Sequence, residues 1–164
     1  MARWKPAVGS LLFFVAAPGV VVGYVPWLIT AWRRHAPMPW VVRVVGAGLL
    51  IAGTAVLVDC FARFAWQGRG TPAPVAPTET LVVTGLYRHV RNPMYVGVVS
   101  AIAGQALVFG DYRLILYAAG VAAAFHAFVV WYEEPRLTAQ FGESYRRYCA
   151  GVRRWWPRVE PWAT

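Results

Sequence analysis

The chain has 164 residues, of which 59% are hydrophobic and 14% charged, and its formal net charge is +9. A soluble domain of this length cannot bury so much apolar surface, so the composition excludes the ordinary soluble class and predicts an integral membrane protein. The positive charge is not gathered on a basic helix with base-reading polar side chains. This pattern excludes nucleic-acid binding, and anionic membrane lipid accounts for the charge instead.

Four apolar segments have about the length needed to cross roughly 30 Å of hydrocarbon as helices. They cover residues 7–32, 40–58, 93–110 and 114–132. Pro18 and Pro26 are expected to kink the first span, and Asp59 is expected to pair with Arg63 one helical turn later. The predicted fold is an all-α integral membrane protein with four transmembrane helices and a cytoplasmic C-terminal helical tail.

The distribution of Lys and Arg predicts the orientation. With four spans, both termini lie on one side of the membrane, and that side receives twelve of the 16 basic residues. Because positive residues concentrate in the cytoplasm, we expect a multi-pass protein of the cytoplasmic (inner) membrane with both termini cytoplasmic. Residues 1–164 form one predicted domain, with two spans in residues 1–66 and a loop, a transmembrane hairpin and a tail in residues 67–164.

The segment between the second and third spans, residues 68–93, has three prolines before its last residue, at Pro72, Pro74 and Pro77. The prolines predict extended backbone, and residues 81–83 are expected to form a short apolar strand or an interfacial segment. A flexible tether is one interpretation. Since long loops in compact proteins are more often functional, we expect this loop to contribute to a site.

The sequence GLYRHVRNPMYVG, residues 85–97, places a basic turn directly before an apolar run. Asn92 is a favoured N-cap residue and Pro93 suits the first helical position, so the following N–H groups are expected to form an anion site. The alternative is an anchor at the membrane interface. Its arginines would reach lipid headgroups and its tyrosines would join the aromatic belt; these residues are Arg88, Arg91, Tyr87 and Tyr95.

Ionisable residues cluster towards the end of the fourth span. Glu133 and Glu134 point to different faces of a helix, so one is expected to face a site while the other meets Arg136 or water. Solvation of the helix end is the alternative. His126 precedes Glu133 by seven residues on the same predicted face, and an intramembrane histidine indicates a site unless it only packs.

The cysteine and histidine pattern predicts no metal site. Cys60 and Cys149 are far apart in sequence, which indicates neither a disulfide nor a CxxC motif. His35, His89 and His126 show no zinc-binding spacing.

Four motifs in order carry a resemblance to a known family. They are RNPMYVG at residues 91–97, EExxL at 133–137, FGxxYxxY at 141–148 and VRRWWP at 152–157. This order resembles the isoprenylcysteine carboxyl methyltransferase and phospholipid methyltransferase family of membrane methyltransferases, over residues 70–157. The resemblance implies a helical enzyme that uses S-adenosylmethionine without a Rossmann domain. By position, it implies that the cofactor is bound by Leu81, Val82, Tyr87, Asn92, Pro93, Met94, Tyr95 and Glu133.

Two positions depart from the family pattern. Asn92 stands where the family usually has a histidine, and asparagine can donate and accept hydrogen bonds but cannot become positively charged. Val129 stands where some eukaryotic members have an arginine that engages the substrate carboxylate.

These observations predict transfer of a methyl group from S-adenosylmethionine to a lipophilic acceptor, with a carboxylate expected because it needs no general base. The alternative enzyme is a phospholipid amine N-methyltransferase, in which His126 or Glu134 would take the proton. An alternative of a different class is a small membrane scaffold or carrier. The expected partners are a lipophilic or lipid substrate and membrane lipid.

Overall fold

The computed structural model describes residues 17–67 and 81–163, and within these ranges the chain is helical without β-strands. The α-helices are α1 (Val25–Thr30), α2 (Trp40–Gln67), α3 (Pro93–Phe109), α4 (Tyr112–Phe128), α5 (Glu134–Phe141) and α6 (Glu143–Gly151). Two π-helical segments, Gly19–Tyr24 and Val129–Glu133, precede α1 and follow α4, and a 3-10 helix covers Gly85–Arg88. The all-α class is therefore confirmed for these residues. A strand at residues 81–83 is wrong, since they have no regular secondary structure.

Two helical segments are long and apolar enough to cross a membrane, Trp40–Arg63 and Tyr112–Phe141. The second runs continuously through α4, the π-helical turn and α5, so it extends beyond the predicted span 114–132. Gly19–Thr30 and Pro93–Phe109 are apolar but shorter. Residues 7–16 of the first predicted span, and the prolines of the 68–80 segment, lie outside the described residues. The exposed apolar side chains on α2 and α4 suit contact with lipid.

Helices α2 and α3 pack closely and antiparallel through glycines. A Cβ atom at Gly53 would lie 2.5 Å from the carbonyl oxygen of Gly97, and one at Gly104 would lie 2.6 Å from that of Gly46. No side chain fits at such distances, so glycine is required for this approach of the two backbones. The contact fixes the beginning of α3 against the middle of α2.

The first apolar helix is irregular where its prolines predict a kink. Pro26 has no N–H group, so the carbonyl of Val22, four residues earlier, loses its helical donor. Gln105 of α3 donates its side-chain amide to that carbonyl at 2.7 Å, and Tyr117 of α4 donates to the carbonyl of Val21 at 3.0 Å. The π-helical segment is thus attached to both later helices.

The turn between α3 and α4 is closed by Asp111. This buried residue is the N-cap of α4, and its carboxylate accepts from the Arg113 backbone N–H at 2.9 Å and from the Arg113 guanidinium at 2.6 Å. His35 Nδ1 lies 3.3 Å from the same carboxylate. The hydrogen bond from Arg113 holds the pKa of Asp111 below its usual range. These contacts join the α1–α2 connection to the hairpin at the end opposite the basic turn.

Candidate active site

The C-terminal tail is hydrogen-bonded along the basic turn that precedes α3. The backbone N–H of Arg91 donates to the carbonyl of Arg153 at 2.9 Å. Further along the tail, the Arg158 N–H donates to the His89 carbonyl and the Trp162 N–H donates to the Arg88 carbonyl, each at 2.9 Å. The turn and the tail therefore form one structural unit, although they are distant in sequence.

Asn92 occupies the N-cap position and Pro93 begins α3, as predicted. The Asn92 side chain, however, makes no capping hydrogen bond. Its amide Nδ2 donates instead to the carbonyl of Arg154 at 3.2 Å, and the residue is buried. The expectation that this side chain caps the helix is therefore wrong, because the tail offers it an acceptor that the local sequence does not contain. The first N–H groups of α3 donate no hydrogen bond to the Asn92 side chain.

Tyr95 and Glu133 are brought together from different helices. The Tyr95 hydroxyl donates to Glu133 Oε2 at 2.9 Å. Tyr95 lies in the first turn of α3, whereas Glu133 ends the π-helical turn after α4. A π-helical turn adds a residue to the helical repeat and so changes the face on which later side chains lie. Both residues are only partly exposed, so their hydrogen bond is partly shielded from the surroundings.

Aromatic rings surround this pair. The ring of Tyr95 lies 4.5 Å from that of Phe125 and 6.5 Å from that of Trp155, measured between centroids. The indole Nε1–H of Trp155 donates to His126 Nδ1 at 3.2 Å. Because indole can only donate, Nδ1 of His126 is the acceptor in this contact. His126 and Glu133 thus reach the same group of aromatic rings, and Trp155 connects them to the tail.

Glu134 has a different role from its neighbour. Its carboxylate accepts two hydrogen bonds from Arg154, at 2.8 and 2.9 Å, and lies 3.1 Å from Arg91 Nη1. The prediction that this carboxylate meets Arg136 is wrong, because Arg136 donates to the Tyr132 hydroxyl at 2.6 Å instead. Since two guanidinium groups occupy its oxygens, Glu134 joins the turn to the tail and is poorly placed to accept a proton from a substrate.

The remaining residues implied by the resemblance mostly pack. Leu81 contacts the buried cluster of Tyr145, Tyr148 and Val152 in the tail, and Met94 packs against the core formed by Leu57, Val98, Ile102 and Ala118. Val82 is partly exposed beside Leu81. Leu81 and Met94 therefore pack against two different clusters, whereas Tyr95 and Glu133 bring two polar groups together.

Tyr87 is buried beneath the turn. Its carbonyl accepts from the Tyr148 hydroxyl at 2.6 Å. Burial, with a smaller effect of the neighbouring Cys60, raises the pKa of the Tyr87 phenol well above its ordinary range. The Tyr87 phenol is therefore a neutral group buried beneath the turn.

Sequence reasoning missed the contacts of Trp155 and Arg154, and it did not foresee that Arg91 pairs with Glu134. A signal was present, since the VRRWWP motif follows an amphipathic tail, but nothing local indicates that it folds back to Glu134 and His126. Within residues 17–67 and 81–163, no group of three or more His, Cys, Asp or Glu side chains could bind a metal ion.

Comparison with known proteins identifies the family. The family profile described as phospholipid methyltransferase matches residues 41–144, which is more than half of the chain. No curated protein and no solved structure shows a significant match to the chain. The match includes α2, the basic turn, the hairpin, and both Glu133 and Glu134. The chain therefore belongs to the phospholipid methyltransferase family, which implies a membrane methyltransferase that acts on lipid or isoprenylcysteine substrates.

Proposed function

We propose that this protein transfers a methyl group from S-adenosylmethionine to a lipophilic carboxylate that enters from the bilayer. The observation that carries the proposal is the Tyr95–Glu133 hydrogen bond of 2.9 Å, placed among aromatic rings at the beginning of α3. The donor set suits the cofactor. A carboxylate matches an ammonium group or ribose hydroxyls, aromatic faces match a sulfonium, and the N–H groups of the first turn of a helix match a carboxylate.

When bound, S-adenosylmethionine supplies an electrophilic methyl group on a sulfonium. Glu133 would bind the cofactor's ammonium group or ribose hydroxyls, and Tyr95 would orient Glu133 through its hydroxyl. Trp155 and Phe125 would exclude water beside the reacting atoms, where fixed dipoles act most strongly. A carboxylate oxygen would use a lone pair to form its bond to the methyl carbon while the carbon–sulfur bond breaks and its electron pair returns to sulfur, so no proton has to move.

The two acceptors differ in whether they need a base, and this difference supports a carboxylate. A protonated amine must lose a proton before it can attack, and the two candidate bases are both engaged. The carboxylate of Glu134 is occupied by Arg91 and Arg154, and Nδ1 of His126 accepts the indole N–H of Trp155. Either group could take a proton only after one of these contacts breaks. A carboxylate acceptor avoids this difficulty.

N-methylation of a phospholipid amine is the second candidate function. The name of the matching family favours it. It would require the contact between Trp155 and His126 to open during the reaction. Activity that depends on His126 would therefore support this candidate.

The test is incubation of the purified protein with methyl-labelled S-adenosylmethionine and a membrane lipid extract. A methyl ester releases labelled methanol on treatment with base, whereas an N-methyl amine keeps its label. We expect base-labile label, and we expect His126→Ala to retain most of the activity. Base-stable label that disappears in His126→Ala would replace the carboxylate with an amine. A scaffold or carrier would yield no labelled product and would not bind the cofactor.

We also propose that both termini are cytoplasmic, on the basis of the twelve basic residues that four spans would place on that side. Reporter fusions after Thr164 and within residues 33–39 test this orientation. A reporter active only outside the cytoplasm at Thr164 would contradict it.

A further inference from the structure

A cleft lies between α2 and the 3-10 helix Gly85–Arg88. Its volume is about 580 Å³, and it is open to the surroundings. Among the described residues, its lining includes none of those that the family resemblance implies for the cofactor. The cleft is therefore separate from the group of Tyr95, Glu133 and Trp155.

One face of α2 changes from apolar to charged along the cleft. Ile51, Ala55, Asp59 and Arg63 are spaced four residues apart, so they lie along the same side of the helix. Ile51 is 70% exposed and Ala55 is also exposed, whereas Asp59 and Arg63 form an ion pair of 2.8 Å at the cleft. A surface that is apolar at one end and charged at the other matches an amphiphile.

The charged end of the cleft is positive overall. Among the described residues, Asp59 is the single carboxylate that lines the cleft, and Arg63 already pairs with it. Arg88 on the opposite wall adds a second guanidinium group, and its Nε donates to the carbonyl of Trp162 at 2.7 Å. His89 also lines the cleft, with Nδ1 hydrogen-bonded to the Arg158 carbonyl at 2.9 Å. Side chains held in this way are ordered before an anion binds, which lowers the entropic cost of binding.

Gly85 allows the side chain of Arg63 to reach the cleft. Its backbone φ angle is +55°, and a Cβ atom there would collide with the guanidinium group of Arg63. The Arg63 side chain therefore lies directly on the backbone of the 3-10 helix, where any other residue would displace it.

We propose that this cleft binds the phosphate group of a phospholipid, with an acyl chain lying along Ala55 and Ile51. Arg88 and Arg63 contact the phosphate, and the exposed face of α2 contacts the chain. The site goes beyond the proposed methyl transfer, because none of its described lining residues is among those assigned to the methyl donor. It binds a lipid of the surrounding membrane beside the turn that begins α3.

The test uses short-chain dihexanoyl phosphatidic acid as the probe, with inorganic phosphate and dihexanoylglycerol as the two partial probes. Binding to the purified protein in a zwitterionic detergent is measured by calorimetry. We expect saturable binding of the phosphatidic acid and at least tenfold weaker binding of either partial probe. Equal affinity for inorganic phosphate would assign the cleft to a free anion and overturn the lipid assignment.

Two variants and a matched control locate the binding. Ala55→Phe places a ring against the apolar wall of the cleft from an exposed position. Arg88→Gln removes the positive charge of the second guanidinium group. Each variant is expected to weaken phosphatidic acid binding about tenfold or more. Ala52→Phe adds the same ring to an exposed position of α2 outside the cleft, and it should bind like the wild type. Unchanged affinity in Ala55→Phe and Arg88→Gln would overturn the proposal.

Titration of the same variants with S-adenosylmethionine separates this proposal from the methyltransferase proposal. Ala55→Phe should bind S-adenosylmethionine as the wild type does. A loss of S-adenosylmethionine affinity in Ala55→Phe, with phosphatidic acid binding intact, would assign the cleft to the cofactor and overturn the lipid site. If no variant and no wild-type sample bound S-adenosylmethionine, the methyltransferase proposal would fail while the lipid measurement still stood.

Discussion

Tyr95 donates its hydroxyl to Glu133 Oε2 across 2.9 Å and so connects the first turn of α3 to the π-helical turn that follows α4. Glu134, the next residue, is held by Arg91 and Arg154 and faces the tail. Two adjacent carboxylates therefore have separate environments. One accepts from Tyr95, whose ring lies near Phe125 and Trp155, and the other joins the turn to the tail.

The separate role of Glu134 predicts a loss of stability rather than of cofactor binding. Glu134→Gln leaves Arg91 and Arg154 without their carboxylate in a partly buried position, which should cost about 1–3 kcal/mol of unfolding free energy. The measurement is the melting temperature with and without S-adenosylmethionine. We expect a lower melting temperature and an unchanged shift on addition of the cofactor.

Glu143→Gln is the matched control for this prediction. Glu143 lies 3.7 Å from both Arg146 and Arg147, and all three side chains are exposed. Exposed pairs of this kind contribute less than about 1 kcal/mol, so the control should melt close to the wild type. Equal destabilisation by Glu134→Gln and Glu143→Gln would contradict a structural role for Glu134.

Substitution of Asn92 distinguishes a role in capping α3 from a role in attaching the tail. Asp is as good an N-cap residue as Asn, so a capping role predicts that Asn92→Asp keeps full stability. In this structure the Asn92 amide donates to the Arg154 carbonyl, and an aspartate cannot donate. We therefore expect Asn92→Asp to lower the unfolding free energy by about 1 kcal/mol or more.

Asn92→His is the informative companion variant, because histidine restores an N–H donor at this position. We expect its melting temperature to lie above that of Asn92→Asp. Wild-type stability in Asn92→Asp would show that the bond to the tail contributes nothing.

The sequence predicted the boundaries of α3 well because their determinants are local. Pro93 lacks an N–H group and suits the first position of a helix, and Gly110 adopts the left-handed backbone conformation (φ 66°) that ends it. The partners of Glu134 and Asn92 could not be predicted in this way. Arg154 is distant from both in sequence, and only the path of the tail brings it to them. The π-helical turn at Val129–Glu133 likewise has no local signature in the sequence.

Asp111 should make stability depend on pH at the opposite end of the hairpin. The hydrogen bond from Arg113 holds the pKa of Asp111 below its usual range. A carboxyl group with a lowered pKa in the folded state stabilises the protein above its unfolded-state pKa of about 3.9, and that stabilisation is lost as the pH falls through the folded-state pKa. The stabilisation from the Asp111 carboxylate is therefore fully present at pH 7.

Asp111→Asn keeps a good N-cap residue and removes only the charge. We expect this variant to melt at a lower temperature than the wild type at pH 7, and we expect the difference to narrow below about pH 4. Melting temperatures measured from pH 3 to pH 7 test this. Parallel curves for the two proteins would contradict the assigned interaction between Asp111 and Arg113.

The most direct test of the proposed cofactor site is calorimetric titration of the wild type and Glu133→Gln with S-adenosylmethionine. Glu133→Gln keeps the size of the side chain and an oxygen for Tyr95, but it removes the charge. Loss of one charge-assisted hydrogen bond at a partly buried site costs roughly 1.5–3 kcal/mol, so the dissociation constant should rise about tenfold or more. The melting temperature without cofactor should change little, because Tyr95 can still donate to the amide oxygen. Equal affinities of the wild type and Glu133→Gln for S-adenosylmethionine would contradict the assignment of Glu133 to the cofactor site.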